Sequence, residues 1–284
     1  MEKIFLKPRA KINLNLEITG KRPDNYHNIN SVFQKISLYD ELYIYKLKTD
    51  EFILETNFAE LNNKDNIIYK AYESLKNKYK SISGVKVILN KKIPMKAGLG
   101  GGSTDCASFI LGINKLFNLN LSKEEIEQIS KKLGADVVPC LYNKAILAEG
   151  IGDVITKINT NFKYYILIIR PNMSCSTKEM YNKIDEKNSI LQKNTTKEII
   201  KALETNNINL LAKNMYNVFE EAIEDKLILN KIKNELMEKG ACGSLMTGSG
   251  SCIYGIFDTK ENLKRAYKNL KEKYEVYFAI SSNL

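Results

Sequence analysis

Residues 94–105 read PMKAGLGGGSTD, with glycine at 98, 100, 101 and 102 just ahead of Ser103, Thr104 and Asp105. Because glycine lacks a Cβ, successive backbone N–H groups can converge on an anion that a side chain would exclude. A helix that starts at the end of such a loop adds its unsatisfied N–H donors and the positive end of its dipole. The segment therefore predicts a phosphate-binding loop.

Two common phosphate loops do not account for this segment. The P-loop ends in Gly-Lys-Ser/Thr, which the run lacks, and Ser103 stands where the GxGxxG pattern requires its last glycine. The simplest alternative is an ordinary turn in which Ser103 caps the next helix. If the loop does bind phosphate, the sequence indicates a nucleotide site of a third kind.

Hydrophobic periodicity places this loop between a strand and a helix. Apolar residues alternate through GVKVILNKKIP at 84–94, which predicts a strand, and the preceding stretch 65–79 has a helical apolar face. Apolar residues recur at helical spacing over 106–117, and Ser122 with Glu125 has the spacing of a capping box that opens a further helix. The loop is thus expected to end at a helix N-terminus.

The loop and two further segments resemble the motifs of the GHMP kinase superfamily. PMKAGLGGGSTD is similar to its P-x-x-x-G-L-G-S/G-S/G-S signature, PRAKINLNLEI at 8–18 to its N-terminal strand, and GSLMTGSGSCIYGIF at 243–257 to its C-terminal glycine-rich motif. The three motifs occur in the family's order and span most of the chain. The resemblance implies an ATP-dependent kinase of a small molecule.

Other segments resemble one branch of that superfamily, the 4-diphosphocytidyl-2-C-methyl-D-erythritol kinases. They are AKINLNLEITGKRPDNYHNINSVFQKISLYDEL at 10–42, DNII at 65–68, LGADVVPCL at 133–141 and AEGIGDVI at 148–155. This resemblance implies phosphorylation of the 2-hydroxyl of a methylerythritol that carries a CDP group, in the non-mevalonate route to isoprenoid precursors.

Lys11 and Asp136 are the candidate catalytic residues. From the residues alone, Lys11 at a strand start is typical of a solvated edge residue, and Asp136 after a Gly-Ala pair could equally cap or turn the chain. The resemblance implies that Asp136 is the base that takes the hydroxyl proton. It also implies that Lys11 pairs with this carboxylate and stabilises the developing alkoxide.

The candidate substrate-binding residues are Asn13, Tyr26, His27 and Tyr181. A single histidine in a loop is by default a surface residue, and His27 is the only histidine of the chain. The resemblance implies that the Tyr26 ring stacks on one face of the cytosine and that His27 contacts the polar edge of this base. It also implies that Tyr181 covers the second face, although the sequence around Tyr181 matches the family less closely. Asn13 lies two residues beyond Lys11, on the same strand face, and is expected to contact substrate.

The resemblance also implies the ATP-binding residues. Asn66 and Lys91 match positions near the adenosine, although the sequence does not decide between Lys91 and Lys92. Mg²⁺ is expected to be held mainly by the ATP phosphates, with Ser103 a possible ligand. The residues expected to cradle the phosphates are Pro94, Met95, Lys96, Ala97, Gly98, Leu99, Gly100, Gly101, Gly102, Ser103 and Thr104. A second glycine motif, Thr247, Gly248, Ser249 and Gly250, either approaches the substrate, braces the first loop or is a plain hairpin turn.

The expected fold is α+β with two domains. The resemblance implies a domain like domain 2 of ribosomal protein S5 over 1–156 and a ferredoxin-like domain over 157–284, with the ligands in the cleft between them. Strand signals run through residues 11–56, and past residue 156 strands and helices alternate around a polar span that ends near 197. The pattern therefore agrees with a second α+β unit.

Composition narrows the classes of partner. The chain has 284 residues, 44% of them apolar, and its net charge of +10 comes from lysines spread along its length, so we expect no nucleic acid partner. Its cysteines are scattered without a CxxC pair, and no apolar run reaches the roughly 20 residues of a membrane span. We expect a cytoplasmic monomer or weak homodimer with no membrane partner.

Two other functions remain open from the sequence. One is another GHMP kinase, acting on homoserine or a mevalonate derivative, which should lack the Tyr26–His27 pair in this setting. The other is a catalytically silent GHMP-fold sensor, against which the presence of both Lys11 and Asp136 argues. Release of ADP with each candidate alcohol separates the three.

Overall fold

The computed structural model describes residues 2–173, 175–187 and 193–282. Within these ranges the chain divides into two compact units, each assembled from segments that are separated in sequence. The first unit comprises Met1–Ala10, Tyr39–Ile93 and Gly100–Tyr142, and the second comprises Lys11–Leu38, Pro94–Leu99 and Asn143–Leu284. The glycine-rich loop therefore contributes residues to both units.

The first unit is a sheet covered by helices. Its strands are β1 (Lys3–Leu6), β5 (Glu41–Lys46), β6 (Phe52–Thr56) and β7 (Val85–Asn90), in the order β1-β5-β7-β6. Its helices are α1 (Ile67–Lys78), α2 (Gly101–Leu116), α3 (Lys123–Leu133) and the short α4 (Val137–Cys140), with a 3-10 turn at Ala59–Leu61. β6 and β7 pair in parallel and are joined through α1, while the other neighbours are antiparallel.

Local sequence explains the helices of this unit. α1 buries Ile68, Ala71, Tyr72 and Leu75, which recur on one face, and α3 begins with the predicted capping box of Ser122 and Glu125. α2 carries a glycine at 112 in its interior, where a Cβ would lie 2.6 Å from Ile44 Cδ1 and 2.8 Å from Leu6 Cδ1. The glycine thus lets α2 lie directly on β1 and β5.

The second unit contains two sheets. The strands of the first sheet are β2 (Arg9–Asn13), β3 (Asn15–Lys21), β4 (His27–Tyr39), β8 (Ile146–Glu149), β9 (Val154–Lys157) and β11 (Tyr216–Asn217). Their order is β11-β3-β4-β8-β9, and β2 also pairs with β4. At Leu14 the chain passes from β2 to β3, so the predicted single strand over 11–18 is two strands.

The strands of the other sheet of the second unit are β10 (Tyr165–Arg170), β12 (Gly243–Met246), β13 (Ile253–Phe257) and β14 (Glu275–Ile280). Their order is β12-β13-β10-β14, and each neighbouring pair is antiparallel. This is the 4-1-3-2 order of a ferredoxin-like β-α-β-β-α-β domain. The helices are α5 (Thr177–Glu186), α6 (Thr196–Glu204), α7 (Ile208–Asn214), α8 (Phe219–Ala222), α9 (Leu227–Glu238) and α10 (Lys260–Leu270).

The predicted α+β class is confirmed, and it includes one helix that the sequence analysis did not assign. The stretch expected to be a polar span before residue 197 contains α5, whose Met180 and Ile184 are buried although most of its residues are polar. Residues 188–192 of the same stretch lie outside the described residues. The division at 156/157 stays a prediction, since compactness groups the segments differently.

Candidate active site

The glycine-rich loop leads into α2 as predicted. Gly98 and Gly100 adopt φ values of +75° and +68°, a region that L residues with a Cβ rarely occupy. Gly100 is the N-cap of α2, and the first backbone bond of the helix runs from Thr104 N to Gly100 O at 2.9 Å. The N–H groups of residues 101–103 precede that bond, and a Cβ on Gly102 would meet no atom within 4 Å. This geometry suits an anion at the helix N-terminus.

The second glycine motif lies against the first loop within the second unit. A Cβ on Gly98 would stand 2.0 Å from Thr247 O, and one on Gly248 would stand 2.9 Å from Gly98 O. Thr247 Oγ1 also lies 3.2 Å from Gly98 O. Backbone therefore packs on backbone at this point, which is the bracing arrangement among the alternatives for Thr247–Gly250.

Lys11 is buried at the junction of these two glycine segments. Its backbone N–H donates to Leu99 O at 3.0 Å, and its Nζ donates to Asn13 Oδ1 at 2.8 Å. The same ammonium lies 4.9 Å from the centroid of the Phe33 ring, at cation–π distance. The side chain is therefore not the solvated edge lysine that its position in the sequence would suggest.

Asn13 links Lys11 to the second glycine motif. Its backbone N–H donates to Thr247 Oγ1 at 3.2 Å, and its Nδ2 donates to Ser31 Oγ at 2.8 Å. Ser31 in turn donates to Asn15 O at 2.5 Å, so its hydroxyl is available to Asn13 only as an acceptor. This direction fixes the amide with Oδ1 towards Lys11. The sequence carries no local signal for Ser31, which occupies an ordinary inward-facing position of β4.

Two of the three predicted base-binding residues are in contact with each other. The rings of His27 and Tyr181 stack with centroids 4.7 Å apart and an interplanar angle of 15°, and Tyr181 meets Phe219 edge-on. Tyr26 precedes β4 and is 58% exposed, so its ring is available to a ligand. The loosely matched Tyr181 thus lies beside His27, although its contact with a base stays a prediction.

Asp185 is a member of this cluster that the sequence analysis missed. Its Oδ1 lies 2.7 Å from His27 Nε2, and its Oδ2 accepts from Lys21 Nζ at 2.7 Å. Lys21, with a smaller contribution from His27, holds the pKa of Asp185 below its ordinary value. Asp185 lies on α5, within the polar span to which the sequence analysis assigned no helix, so the carboxylate was not recognised either.

Comparison with known proteins places this arrangement in a family. The family models described as GHMP kinases N terminal domain and GHMP kinases C terminal match residues 66–144 and 199–276. The 4-diphosphocytidyl-2-C-methyl-D-erythritol kinase of Thermoanaerobacter pseudethanolicus is 42% identical over 279 residues, covering 98% of this chain and 96% of the relative. The enzyme of that name from Clostridium tetani is 40% identical, covering 96% of this chain and 98% of the relative.

The chain belongs to the 4-diphosphocytidyl-2-C-methyl-D-erythritol kinase family. It is therefore a GHMP kinase, an enzyme that takes ATP as co-substrate. Among solved structures, a 4-(cytidine 5'-diphospho)-2C-methyl-D-erythritol kinase superposes with a TM-score of 0.81 at 23% identity, covering 99% of this chain and all of the other. A homoserine kinase from Cytophaga hutchinsonii gives 0.74 at 17% identity. At these identities the structures support the two-domain GHMP kinase fold alone.

Asp136, the family's candidate base, lies at the N-cap position of α4. Its side chain is exposed, while Val137 and Val138 directly after it are fully buried. The Asp136 carboxylate makes no capping hydrogen bond to the described α4, so helix capping does not explain why an aspartate stands at this position. The backbone of Asp136 is anchored by its buried neighbours, and its pairing with Lys11 stays a prediction.

Lys91 and Lys92, the two candidates near the adenosine, differ sharply in environment. Lys91 Nζ is buried between Asp40 and Asp105, and it donates to Asp105 Oδ2 at 2.7 Å. Lys92 is half exposed and pairs with Glu41. Asp40 further accepts the backbone N–H of Ile93 at 2.8 Å. The structure thus ties Lys91 into a buried ion cluster and leaves Lys92 at the surface, and contact of either with nucleotide stays a prediction.

The buried cluster carries two carboxylates and one ammonium. Burial would lower the pKa of Lys91, but the two carboxylates outweigh it and hold that pKa above its ordinary value. Burial, with Asp40 adding to it, raises the pKa of Asp105 well above its ordinary value despite Lys91. Asp105 Oδ1 is buried without a hydrogen-bond partner among the described residues. The second carboxylate is therefore an electrostatic cost to the fold.

Asn66 also has a structural role, as the N-cap of α1. Its Oδ1 accepts from Ile68 N at 2.9 Å, and its Nδ2 donates to Leu61 O at 3.0 Å. A contact with adenosine would have to use the remaining hydrogen-bonding capacity of this amide. Its role at the nucleotide stays a prediction.

A magnesium ion held mostly by nucleotide, with Ser103 as a possible ligand, stays a prediction. Among the described residues, no group of three or more His, Cys, Asp or Glu side chains could hold a metal. Asp105, the carboxylate that follows the loop in sequence, is paired with Lys91, whereas Ser103 lies partly exposed in the first turn of α2. The Ser103 hydroxyl is therefore available to a ligand at this end of α2.

In the part of the chain that the structure describes, no helix is long and apolar enough to cross a membrane.

Proposed function

We propose that this kinase transfers the γ-phosphoryl group of ATP to the 2-hydroxyl of 4-diphosphocytidyl-2-C-methyl-D-erythritol. The products are its 2-phosphate and ADP, within the non-mevalonate route to isoprenoid precursors. The observation that carries the proposal is the position of Lys11. Its backbone N–H donates to Leu99 O of the glycine-rich loop, and its buried ammonium is held by Asn13, so that this ammonium could stabilise a negative charge that develops on a nearby oxygen.

The acceptor hydroxyl must lose its proton as it attacks. In the proposed mechanism the Asp136 carboxylate takes that proton, and the Lys11 ammonium stabilises the alkoxide character of the oxygen. The bond from this oxygen to the γ-phosphorus forms while the bond from that phosphorus to the β–γ bridging oxygen breaks, and ADP leaves. Magnesium, when bound with ATP, would neutralise phosphate charge.

The glycine-rich loop has a separate part in this mechanism. The backbone N–H groups of residues 101–103, at the N-terminus of α2, donate to phosphate oxygens and oppose their negative charge. Because these donors belong to the backbone of a helix end, they need no reorganisation during the reaction. Ser103 contributes its hydroxyl on the same turn.

The cytidine specificity is assigned to the aromatic cluster. The exposed Tyr26 ring stacks on the base, and the stacked rings of His27 and Tyr181 lie at its other side or edge. Asp185 holds His27 in place through Nε2. Replacing Tyr26 by alanine is expected to raise KM for the cytidyl substrate about tenfold or more, since base–aromatic stacking is worth about 1–3 kcal/mol. Phe278→Ala, another exposed aromatic truncation, is the control.

The test is a coupled assay of ADP release with Mg-ATP and a panel of acceptors. The proposal expects release with the cytidyl-linked erythritol, and release with homoserine or a mevalonate derivative instead would replace the substrate assignment. No release with any acceptor would favour the silent sensor. Lys11→Met and Asp136→Asn should each lower kcat by about a hundredfold or more with an unchanged circular dichroism spectrum. Near-normal turnover in either variant removes that residue from the mechanism.

A further inference from the structure

A buried amide binds two carbonyls of the turn that contains the second glycine motif. Asn217, the last residue of β11, is 1% exposed. Its Nδ2 donates to Met246 O at 2.7 Å and to Gly248 O at 2.8 Å, and its Oδ1 accepts from Phe219 N at 3.0 Å. Both donors of the amide and one acceptor position are thus in use. Asn217 fixes the turn from the side of β11.

The two carbonyls that Asn217 binds belong to the residues on either side of Thr247. Thr247 is the residue through which the turn reaches the candidate site, because its Oγ1 accepts from Asn13 N at 3.2 Å and lies 3.2 Å from Gly98 O. Asn13 in turn accepts from Lys11 Nζ. One amide on β11 therefore sets the place of the hydroxyl that lies between Asn13 and the glycine-rich loop.

We propose that Asn217 is a positioning residue for phosphoryl transfer, which acts by clamping the carbonyls of Met246 and Gly248 so that Thr247 meets both Asn13 and Gly98. This inference rests on the proposed function for the reaction it serves. Asn217 touches neither Lys11 nor Gly98 in any of the contacts described, so its effect on turnover passes through the turn that carries Thr247. No sequence signal marked it, because it is a single asparagine in YNVFEE.

The chemistry of the clamp is specific to a primary amide. Two carbonyl oxygens need two N–H donors, and the Phe219 N–H needs an acceptor, a combination that Asn supplies from one rigid plane. Aspartate at this position would keep the acceptor but turn an oxygen towards Met246 O and Gly248 O. At least one of these buried carbonyls would then lose its donor, and the turn would shift or open.

The test replaces Asn217 by aspartate and compares it with Asn214→Asp. Asn214 lies three residues earlier and donates Nδ2 to a single carbonyl, Leu210 O at 2.8 Å, so the control makes the same chemical change away from the turn. Asn217→Asp is expected to lower kcat tenfold or more, with a smaller change in KM for ATP and acceptor. Asn214→Asp is expected to stay within about twofold. Equal kinetics of the two variants would overturn the proposal.

A double-mutant cycle with Thr247→Val separates positioning from a general loss of stability. If Asn217 acts through Thr247, the loss of kcat caused by Asn217→Asp should fall below threefold once the Thr247 hydroxyl is gone. Losses that multiply independently would refute the mechanism. If Asn217→Asp does not fold, Asn217→Ser takes its place in the cycle, since serine keeps one donor and adds no charge.

Hydrogen exchange provides a readout that needs no substrate. In the full chain, backbone amides of residues 243–253 should exchange faster in Asn217→Asp and unchanged in Asn214→Asp. Unchanged exchange in Asn217→Asp contradicts the clamp itself. A wild-type chain that releases no ADP would contradict the proposed function while the exchange result still decides on the clamp, so the two failures are distinguishable.

Discussion

Replacing Lys91 by methionine removes the only ammonium that contacts the buried carboxylates of Asp40 and Asp105 in the described structure. Methionine preserves most of the apolar stem, so the change is mainly electrostatic. Removing one partner of a buried ion pair costs about 3–5 kcal/mol, because a charge is left buried without compensation. We therefore expect Lys91→Met to lower the free energy of unfolding by about 3–5 kcal/mol.

The adjacent lysine is the matched control for this prediction. Lys92 pairs with Glu41, but its side chain is 50% exposed, and exposed ion pairs contribute about 0–1 kcal/mol. Lys92→Met should therefore cost less than about 1 kcal/mol. The assay is urea denaturation of the wild type and both variants, followed by circular dichroism at neutral pH. Equal costs for the two lysines, or a cost below about 1 kcal/mol for Lys91→Met, would refute the reasoning.

The pH dependence provides an independent check on the same cluster. Since burial raises the pKa of Asp105 in the folded state, the folded chain binds a proton there more readily than the unfolded chain. Asp105 therefore lowers the free energy of unfolding as the pH rises from about 3.8, the pKa of this carboxyl in the unfolded chain, through its higher pKa in the folded chain. The deficit of Lys91→Met should shrink in acid, where Asp105 is protonated. Adding Asp105→Asn to Lys91→Met should recover part of the deficit at neutral pH.

Two further predictions concern the glycine contact and the carboxylate beside His27. Gly98→Ala should lower kcat/KM for ATP by at least tenfold, because its Cβ would overlap Thr247 O at a φ of +75°, whereas Gly102→Ala, which meets nothing within 4 Å, should fold normally. A Gly98→Ala enzyme with normal kinetics would contradict the packing of the two glycine segments. Because Lys21 lowers the pKa of Asp185, its contribution to stability is complete above about 3.8 and is lost as the pH falls through the folded pKa. The difference in the free energy of unfolding between the wild type and Asp185→Asn should therefore persist at pH 7 and disappear in acid.

The sequence by itself determined the features that depend on near neighbours in the chain. The apolar face of α1, the capping box of Ser122 and Glu125, and the alternation of β7 follow from periods of a few residues, and each is found as predicted. The glycine loop before α2 has the same local origin. The family resemblance rests on such local motifs too, which explains why the fold class and the family could be identified without coordinates.

Only the tertiary structure decided which polar groups meet across the chain. Lys91 and Lys92 are identical in type and adjacent, yet only Lys91 is buried, in an ion pair with Asp40. Asp40 lies 51 positions away in sequence, so no local pattern connects the two residues. Likewise, His27 meets Asp185 across 158 positions, and Asn217 meets Gly248 across 31. These contacts depend on strand register and helix packing, for which no local pattern exists. A buried polar or charged group is costly without a partner, so the fold must bring such partners together. Periodicity in the sequence does not reveal which residues they are.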